Sequence, residues 1–444
     1  MSAIVCNTIA QLRARLASSG ESPADALSEQ HDYFSRVGRL TNSTTCVFPL
    51  VKSTADENKP LQGVGLAHKD IFDLPGRSPG LGRDAGSPKP GLSQAWAVEQ
   101  LERAGATNFG ALTMAEDACS ATGQTRHLPT PINPLGADMA VGGSSSGSAV
   151  AVASGIVFAS LGTDTAGSVR IPAMTCGVMG LKTTHGLIPR DGMTILSPSL
   201  DSIGVLARSV GDVAELMQVL APGLRWQNLH SRAAIKVGYW LDDVQMDERV
   251  LAVVGRVMRH YGQTHIAPVN HERRASALQE MVMAYEVGQT LRARIANGLA
   301  CSQVAGLGSY GLMIPNIWWR EALRQRPEHL KAFVDDVFGK VDVMMAPLQI
   351  DLLPKTSEVY LGNPEFKAAK LLGLHRYCGW VNYLGLPALA IPIGTTPDGL
   401  PVSIQLIAKP FNEVQLLALA GQIQNDIYGV HGILPVLKIE GQQP

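Results

Sequence analysis

The stretch Met139–Thr163 carries no charged side chain, and near its start Gly142–Ser148 reads GGSSSGS. Few folds can place such a segment. It lacks the continuous apolar run of about 20 residues that crosses a bilayer, and it is too apolar for a solvated linker. A second uncharged stretch, Gly379–Pro397, is broken by Gly385, Pro387, Pro392 and Gly394 and fails as a membrane span on the same ground. Both stretches therefore predict buried interior. Small residues after the serine run let backbone approach backbone, as the floor of an enzyme site requires.

The composition agrees with a large interior. Hydrophobic residues are 45% and charged residues 17%, the opposite of a disordered chain. With 37 Lys+Arg against 38 Asp+Glu, the chain lacks the basic surplus that phosphate contacts demand. Neither a nucleic-acid nor a membrane partner is expected. The six cysteines (Cys6, Cys46, Cys119, Cys176, Cys301 and Cys378) form no C-x-x-C and follow no zinc spacing, which predicts reduced thiols in a cytoplasmic protein. Arg13 and Arg15 follow the short N-terminal apolar stretch instead of preceding it, so no secretory signal is expected.

Along the chain, Thr8–Arg36 predicts one or two amphipathic helices, with Ser22 before Pro23 as N-cap and first helical residue. Thr41–Pro60 and Leu74–Pro90 read as loops flanking the apolar run Gly63–Phe72. A helix is predicted at Ala95–Ala104 and a strand at Thr107–Leu112. Ala149–Val157 should be helical, Phe158–Thr165 a buried strand and Ala166–Ser168 a sharp turn. Further helices are predicted at Ser209–Leu220, Glu248–Tyr261, Ala275–Asn297, Glu328–Phe338 and Glu413–Tyr428. Strands are predicted at Ile235–Trp240, Val341–Ala346, Pro387–Ile393 and Val402–Ala408. Strands interleaved with helices predict an α/β fold. One domain over residues 1–444 is expected, with a helical and loop segment at 1–60 and a core at 63–430.

Three features carry chemistry. The serine run offers hydroxyls on permissive backbone. Gly162-Thr163-Asp164-Thr165-Ala166-Gly167-Ser168-Val169-Arg170 begins at a strand end, where α/β proteins place ligands, and a turn there exposes the consecutive N–H groups of an oxyanion hole. Asp164 and Arg170 could pair to hold that turn. Lys69 stands alone in an apolar run. If it is buried, desolvation favours its neutral amine, a competent base for a serine nucleophile.

GGSSSG, GTDTAGSVRIPA and CGVMGLKTTHG, with an upstream lysine in a G-x-x-x-x-K-D segment, resemble the amidase signature family. Lys69 and Ser144 lie 75 residues apart and Ser144 and Ser168 lie 24 apart, which suits that family's Lys–cis-Ser–Ser triad. The resemblance runs from about Gly63 to about Gly429 and includes Asn382–Ala388, Gly399–Pro401 and Gln405-Leu406. It implies a mixed central β-sheet covered by helices on both faces. It also implies Ser168 as nucleophile, Ser144 as proton relay after a cis peptide, and Lys69 as base. The implied oxyanion donors are the N–H groups of Thr165, Ala166, Gly167 and Ser168, with Asp164 and Arg170 bracing the loop. No metal and no cofactor is required.

Four positions depart from the family pattern: Ala166 for a glycine, Ala115 for the Asp of a T-x-M-D-E motif, His68 before the lysine, and Thr183 for a proline. The resemblance is nearest to short single-chain amidases of the indole-3-acetamide hydrolase type. It implies a small, aryl-containing primary amide as substrate. Pocket walls are expected from Cys119–His127, Ser197–Ile203, Ala275–Pro315 and Arg376–Tyr383, with Gln124, Arg126, His127 and Tyr377 as the leading contacts and Met313 and Trp318 as further ones. A homodimer is compatible with the sequence.

Two alternatives follow from the same residues. One is a glutaminase-type amidotransferase subunit delivering ammonia to a partner. The other is an α/β-hydrolase-like esterase using Ser145, since Gly143–Gly147 formally fits G-x-S-x-G.

Overall fold

The computed structural model describes residues 6–50, 59–84, 86–231, 234–241 and 246–428. Part of the 41–60 loop and the last two residues of the expected core lie outside them. Thirteen strands are described: β1 (Thr44–Val47), β2 (Gly65–Lys69), β3 (Arg77–Ser78), β4 (Ser87–Pro88), β5 (Thr107–Leu112), β6 (Ala159–Asp164), β7 (Met179–Lys182), β8 (Ser202–Ala207), β9 (Val237–Tyr239), β10 (Thr264–His265), β11 (Val343–Pro347), β12 (Ala388–Thr395) and β13 (Pro401–Ala408).

Eight of them form one sheet in the order β10-β9-β11-β13-β12-β7-β8-β6. The pairings β10–β9 and β9–β11 are parallel, and those from β11 through β13, β12, β7 and β8 to β6 are antiparallel. The sheet is therefore mixed. Beside β6 lies a smaller sheet, β1-β5-β2.

Period-two alternation explains why helices cover the sheet. Val343 and Met345 of β11, Leu389, Ile391 and Ile393 of β12, and Val402, Ile404 and Leu406 of β13 join one apolar cluster with the helices Val210–Leu220, Glu248–Tyr261 and Glu413–Tyr428. The intervening Met344, Ala346, Ala388 and Ile407 pack into another cluster with Trp380, Tyr377 and Phe333. Ala390 faces a third, with Ile171 and Ala173 of the helix Arg170–Cys176 and the alanine-valine helix Ser146–Ala153. The strands are buried on both faces, which is why they read as near-continuous apolar runs.

Most predicted elements recur within a few residues. Ser22 caps Pro23–Leu40 by accepting from the Asp25 N–H, and Ser209 caps Val210–Leu220 through Asp212. Four differences are informative. The helix predicted at Ala149–Val157 begins inside the serine run, at Ser146, and ends at Ala153, just before Gly155 with φ 66°. The helix predicted from Glu328 starts at Asn316 and tolerates Pro327 inside it. The 41–60 loop contains β1, and the 74–90 loop contains the β3–β4 ribbon. Strands β7 and β8, which stand between β12 and β6 in the large sheet, are additions to the elements the sequence predicts. No helix among the described residues is long and apolar enough to cross a membrane.

Candidate active site

Lys69 ends β2, pairing with Leu112 of β5 across the small sheet. Its side chain reaches toward β6 and is 1% exposed. Its Nζ lies 2.8 Å from Ser144 Oγ and 2.7 Å from Thr163 Oγ1. Burial drives its pKa from the ordinary 10.5 down to about 7, while the negative charges of Asp201 and Asp164 partly oppose the fall. A large share of this amine is therefore neutral near pH 7. Its neighbour His68 is also buried, and desolvation lowers its pKa to about 3. The neutral imidazole accepts the Leu161 N–H through Nδ1 at 3.1 Å, so it ties β2 to β6.

Ser144 is fully buried, and the Gly143–Ser144 peptide is cis. A glycine is needed at 143 because a Cβ there would stand 2.5 Å from Gly123 N and 2.6 Å from Ser120 O, both backbone atoms. Two backbone bonds fix the run: Ala115 N–H donates to Ser144 O at 3.0 Å, and Ser145 N–H to Ser168 O at 3.1 Å. The second brings the Ser168 turn against the residue next to Ser144. Ser168 itself is partly exposed.

The turn is held by a buried charge cluster. Arg170 Nε and Nη2 donate to the two carboxylate oxygens of Asp164 at 3.1 and 3.0 Å. Arg170 also donates to Gln405 Oε1, Asn382 Oδ1 and Cys378 O, and Asn382 Nδ2 donates to Asp164. Burial alone would raise the Asp164 pKa, but the Arg170 charge and hydrogen bonds hold it well below the usual carboxylate range. Such a pair resists disruption because removing one partner strands a buried charge, at a cost of about 3–5 kcal/mol.

Asp164 Oδ1 also accepts the Gly167 N–H at 2.8 Å. That corrects the expectation for Gly167, whose N–H is committed to the brace. Among the described residues, the N–H groups of Thr165, Ala166 and Ser168 have no protein acceptor. Gly167 is required for another reason. Its φ is 116°, and a Cβ there would meet the Cys378 side chain at 2.7 Å.

The expected pocket contacts separate. Tyr377 is fully buried and packs edge-on against Trp240, ring centroids 5.4 Å apart, so it is a core residue. Arg126 grips Glu116 through Nε and Nη2 at 3.0 and 2.7 Å and belongs to an ion-pair network with Arg294, Asp117 and Arg83. His127 lies at the exposed edge of that network, 3.8 Å from Glu116. Gln124 is half-buried, and its carbonyl accepts the Glu116 N–H. Met313 and Trp318 are 73% and 59% exposed and form surface. Ser145 is fully buried, with Oγ directed at Thr163 O at 3.5 Å, and no strand leads into it, which removes the G-x-S-x-G alternative. A cavity of about 600 Å³ lined by Met174, Gln349, Leu352, Lys367 and Leu374 contains none of Lys69, Ser144 and Ser168.

Sequence reading gives Thr163 no role and includes Asp201 only as part of the Ser197–Ile203 pocket wall. Thr163 lies inside the GTDTAGS motif, but its role as second lysine partner depends on β2 packing beside β6. Asp201 accepts the Thr165 hydroxyl at 2.6 Å, and no local pattern marks it.

A buried amine against a serine hydroxyl, beside a braced turn with free N–H groups at a strand end, is the equipment of a serine hydrolase that needs no histidine. Comparison with known proteins names the class. The model of the Amidase family matches residues 50–417, and the chain belongs to that family. Amidase 1 of Arabidopsis thaliana is 30% identical over 436 residues, covering 89% of this chain and 99% of that protein. A glutamyl-tRNA(Gln) amidotransferase subunit of Anaeromyxobacter sp. (strain K) is 30% identical over 421 residues, covering 84% of each. A crystal structure described as an amidase superposes with a TM-score of 0.81 at 26% identity, covering 95% of this chain and all of that one. The protein is an amide-hydrolysing enzyme of α/β fold.

Proposed function

We propose that this chain hydrolyses a small, aryl-containing primary amide to acid and ammonia through an acyl-enzyme on Ser168. The observation that carries the reading is the Lys69 amine, buried and 2.8 Å from Ser144 Oγ. In its neutral form it takes the Ser144 proton as Ser144 takes that of Ser168, whose oxygen attacks the amide carbon. The N–H groups of Ala166 and Ser168 stabilise the charge developing on the acyl oxygen. The proton returns through Ser144 to the departing amine. Water then cleaves the ester by the same relay, restoring Ser168 and releasing the acid. Likeness to Amidase 1 of Arabidopsis thaliana supports amide hydrolysis, and the aryl primary amide class rests on the resemblance of KDIFDLPGR, ATGQTRHLPTPINP and GGSSSGSAVAVA to short single-chain amidases.

A panel of aliphatic and aryl primary amides, scored for ammonia release beside Ser168→Ala, tests the reading. Turnover of aryl amides that is lost in Ser168→Ala supports it; equal turnover by the variant contradicts it. A second reading, the amidotransferase component, is favoured by the likeness to the Anaeromyxobacter protein. It predicts release of ammonia from glutamine only when a partner protein is added.

A further inference from the structure

Two buried carboxylates near the proposed nucleophile are unexplained by the reaction so far. Asp201 is 1% exposed, and Glu286 is 4% exposed. Asp201 Oδ1 accepts the Thr165 hydroxyl at 2.6 Å, and Oδ2 accepts the N–H groups of Leu196 and Ser197 at 2.8 and 3.0 Å. Glu286, on the helix Val269–Thr290, accepts from Ser197 Oγ, Ser199 N, Ser199 Oγ and Trp319 Nε1. The Ser197–Asp201 turn is thus clamped at its outer side by Glu286, and on its inner side it grips the first residue of the Thr165–Ser168 turn.

We propose that Asp201 is a positioning residue for amide hydrolysis: it holds Thr165, and with it the Ala166 and Ser168 N–H groups, in line with the acyl oxygen, and its carboxylate charge acts on the Lys69 amine. The proposal rests on the Ser168 reading above. Burial raises the carboxyl's pKa above its ordinary value, and the three hydrogen bonds oppose that rise by favouring the ionised form. Among the described residues no cation lies within ion-pair distance of it, although Arg190 donates to its main-chain oxygen at 3.2 Å. Asp164 acts on the Lys69 amine in the same direction, but it is held in a direct pair with Arg170. Lys182 on β7 donates through Nζ to Thr183 O and Leu386 O, and burial lowers its pKa to about 7 as it does that of Lys69. His68 beside Lys69 is neutral.

Two substitutions separate the two parts of the proposal. Asp201→Asn removes the charge and one acceptor. It is expected to lower kcat by about 10–100-fold with little change in KM. It is also expected to move the acid limb of kcat/KM to lower pH by about half a unit or more, because loss of a nearby negative charge disfavours the ammonium. Thr165→Val removes the hydrogen bond and keeps the carboxyl group with its Leu196 and Ser197 N–H donors. It is expected to lower kcat, counted per active site by acylation titration so that loss of folded enzyme does not mimic the effect, and to leave the acid limb in place. Near-normal kcat in Thr165→Val overturns the positioning role, whether or not Asp201→Asn folds. An unmoved acid limb in folded Asp201→Asn overturns the electrostatic role. Ser168→Ala is measured alongside: if it stays active, the parent reading fails instead, and if it is dead, the failure belongs to Asp201 alone.

Discussion

Replacing Lys69 with Met has a consequence for stability that can be worked out with its sign. The amine has a pKa of about 7 in the folded chain against an ordinary 10.5. Between those values the unfolded chain holds a proton that the folded chain has shed, so this group's contribution to stability rises with pH. At about 1.36 kcal/mol per pKa unit, burying the amine costs about 4 kcal/mol at pH 7 and about 1.4 kcal/mol at pH 9.5. Met removes this titration. It also leaves the Ser144 and Thr163 hydroxyls without their shared partner, at about 1–3 kcal/mol each, at either pH. The stability of the native protein minus that of Lys69→Met should therefore grow by about 3 kcal/mol from pH 7 to 9.5. Urea unfolding of both proteins at the two pH values measures it, and every group they share cancels. A difference constant to within about 0.5 kcal/mol would mean that the buried amine stays charged, and the proton-relay argument would fail.

The same neutral amine requires kcat/KM for an amide to rise with pH through about 7 and then level off; a flat profile from pH 5 to 9 contradicts this. Arg170→Met strands the buried Asp164 carboxylate and is expected to destabilise by about 3–5 kcal/mol, read as a lowered midpoint in thermal or urea unfolding. Gly143→Ala pushes a methyl into the backbone of Gly123 and Ser120. It should cost about 1–3 kcal/mol and abolish ammonia release from protein that remains soluble.

What can be read in the sequence follows from how local each signal is. Capped helices such as Val210–Leu220 and apolar strands such as β12 and β13 declare themselves through their own residues. Strands β7 and β8 do not: β7 has only four residues, each carries a glycine (Gly180, Gly204), and both owe their form to pairing with β12 and β6. The Asn316–Phe333 helix is longer than its sequence suggests, because Pro327 weighs less in a packed helix than in an isolated one. In the site, the motif spacing brings Lys69, Ser144, Asp164, Ser168 and Arg170 into view together. Thr163 and Asp201 take part through contacts from strands and loops distant in sequence. Tyr377 and Arg126 look like ligand contacts in one dimension and are occupied by Trp240 and Glu116 in three.

The proposed route to product requires a covalent intermediate, and trapping it tests the account most directly. The enzyme is mixed with an activated aryl ester or a slowly deacylating amide, quenched in acid and digested, and the adduct is located by mass spectrometry. The account predicts one acyl group on Ser168, absent in Ser168→Ala and formed far more slowly in Lys69→Met. An adduct on Ser145 or Ser144 in the native protein, or undiminished acylation of Ser168→Ala, would contradict it.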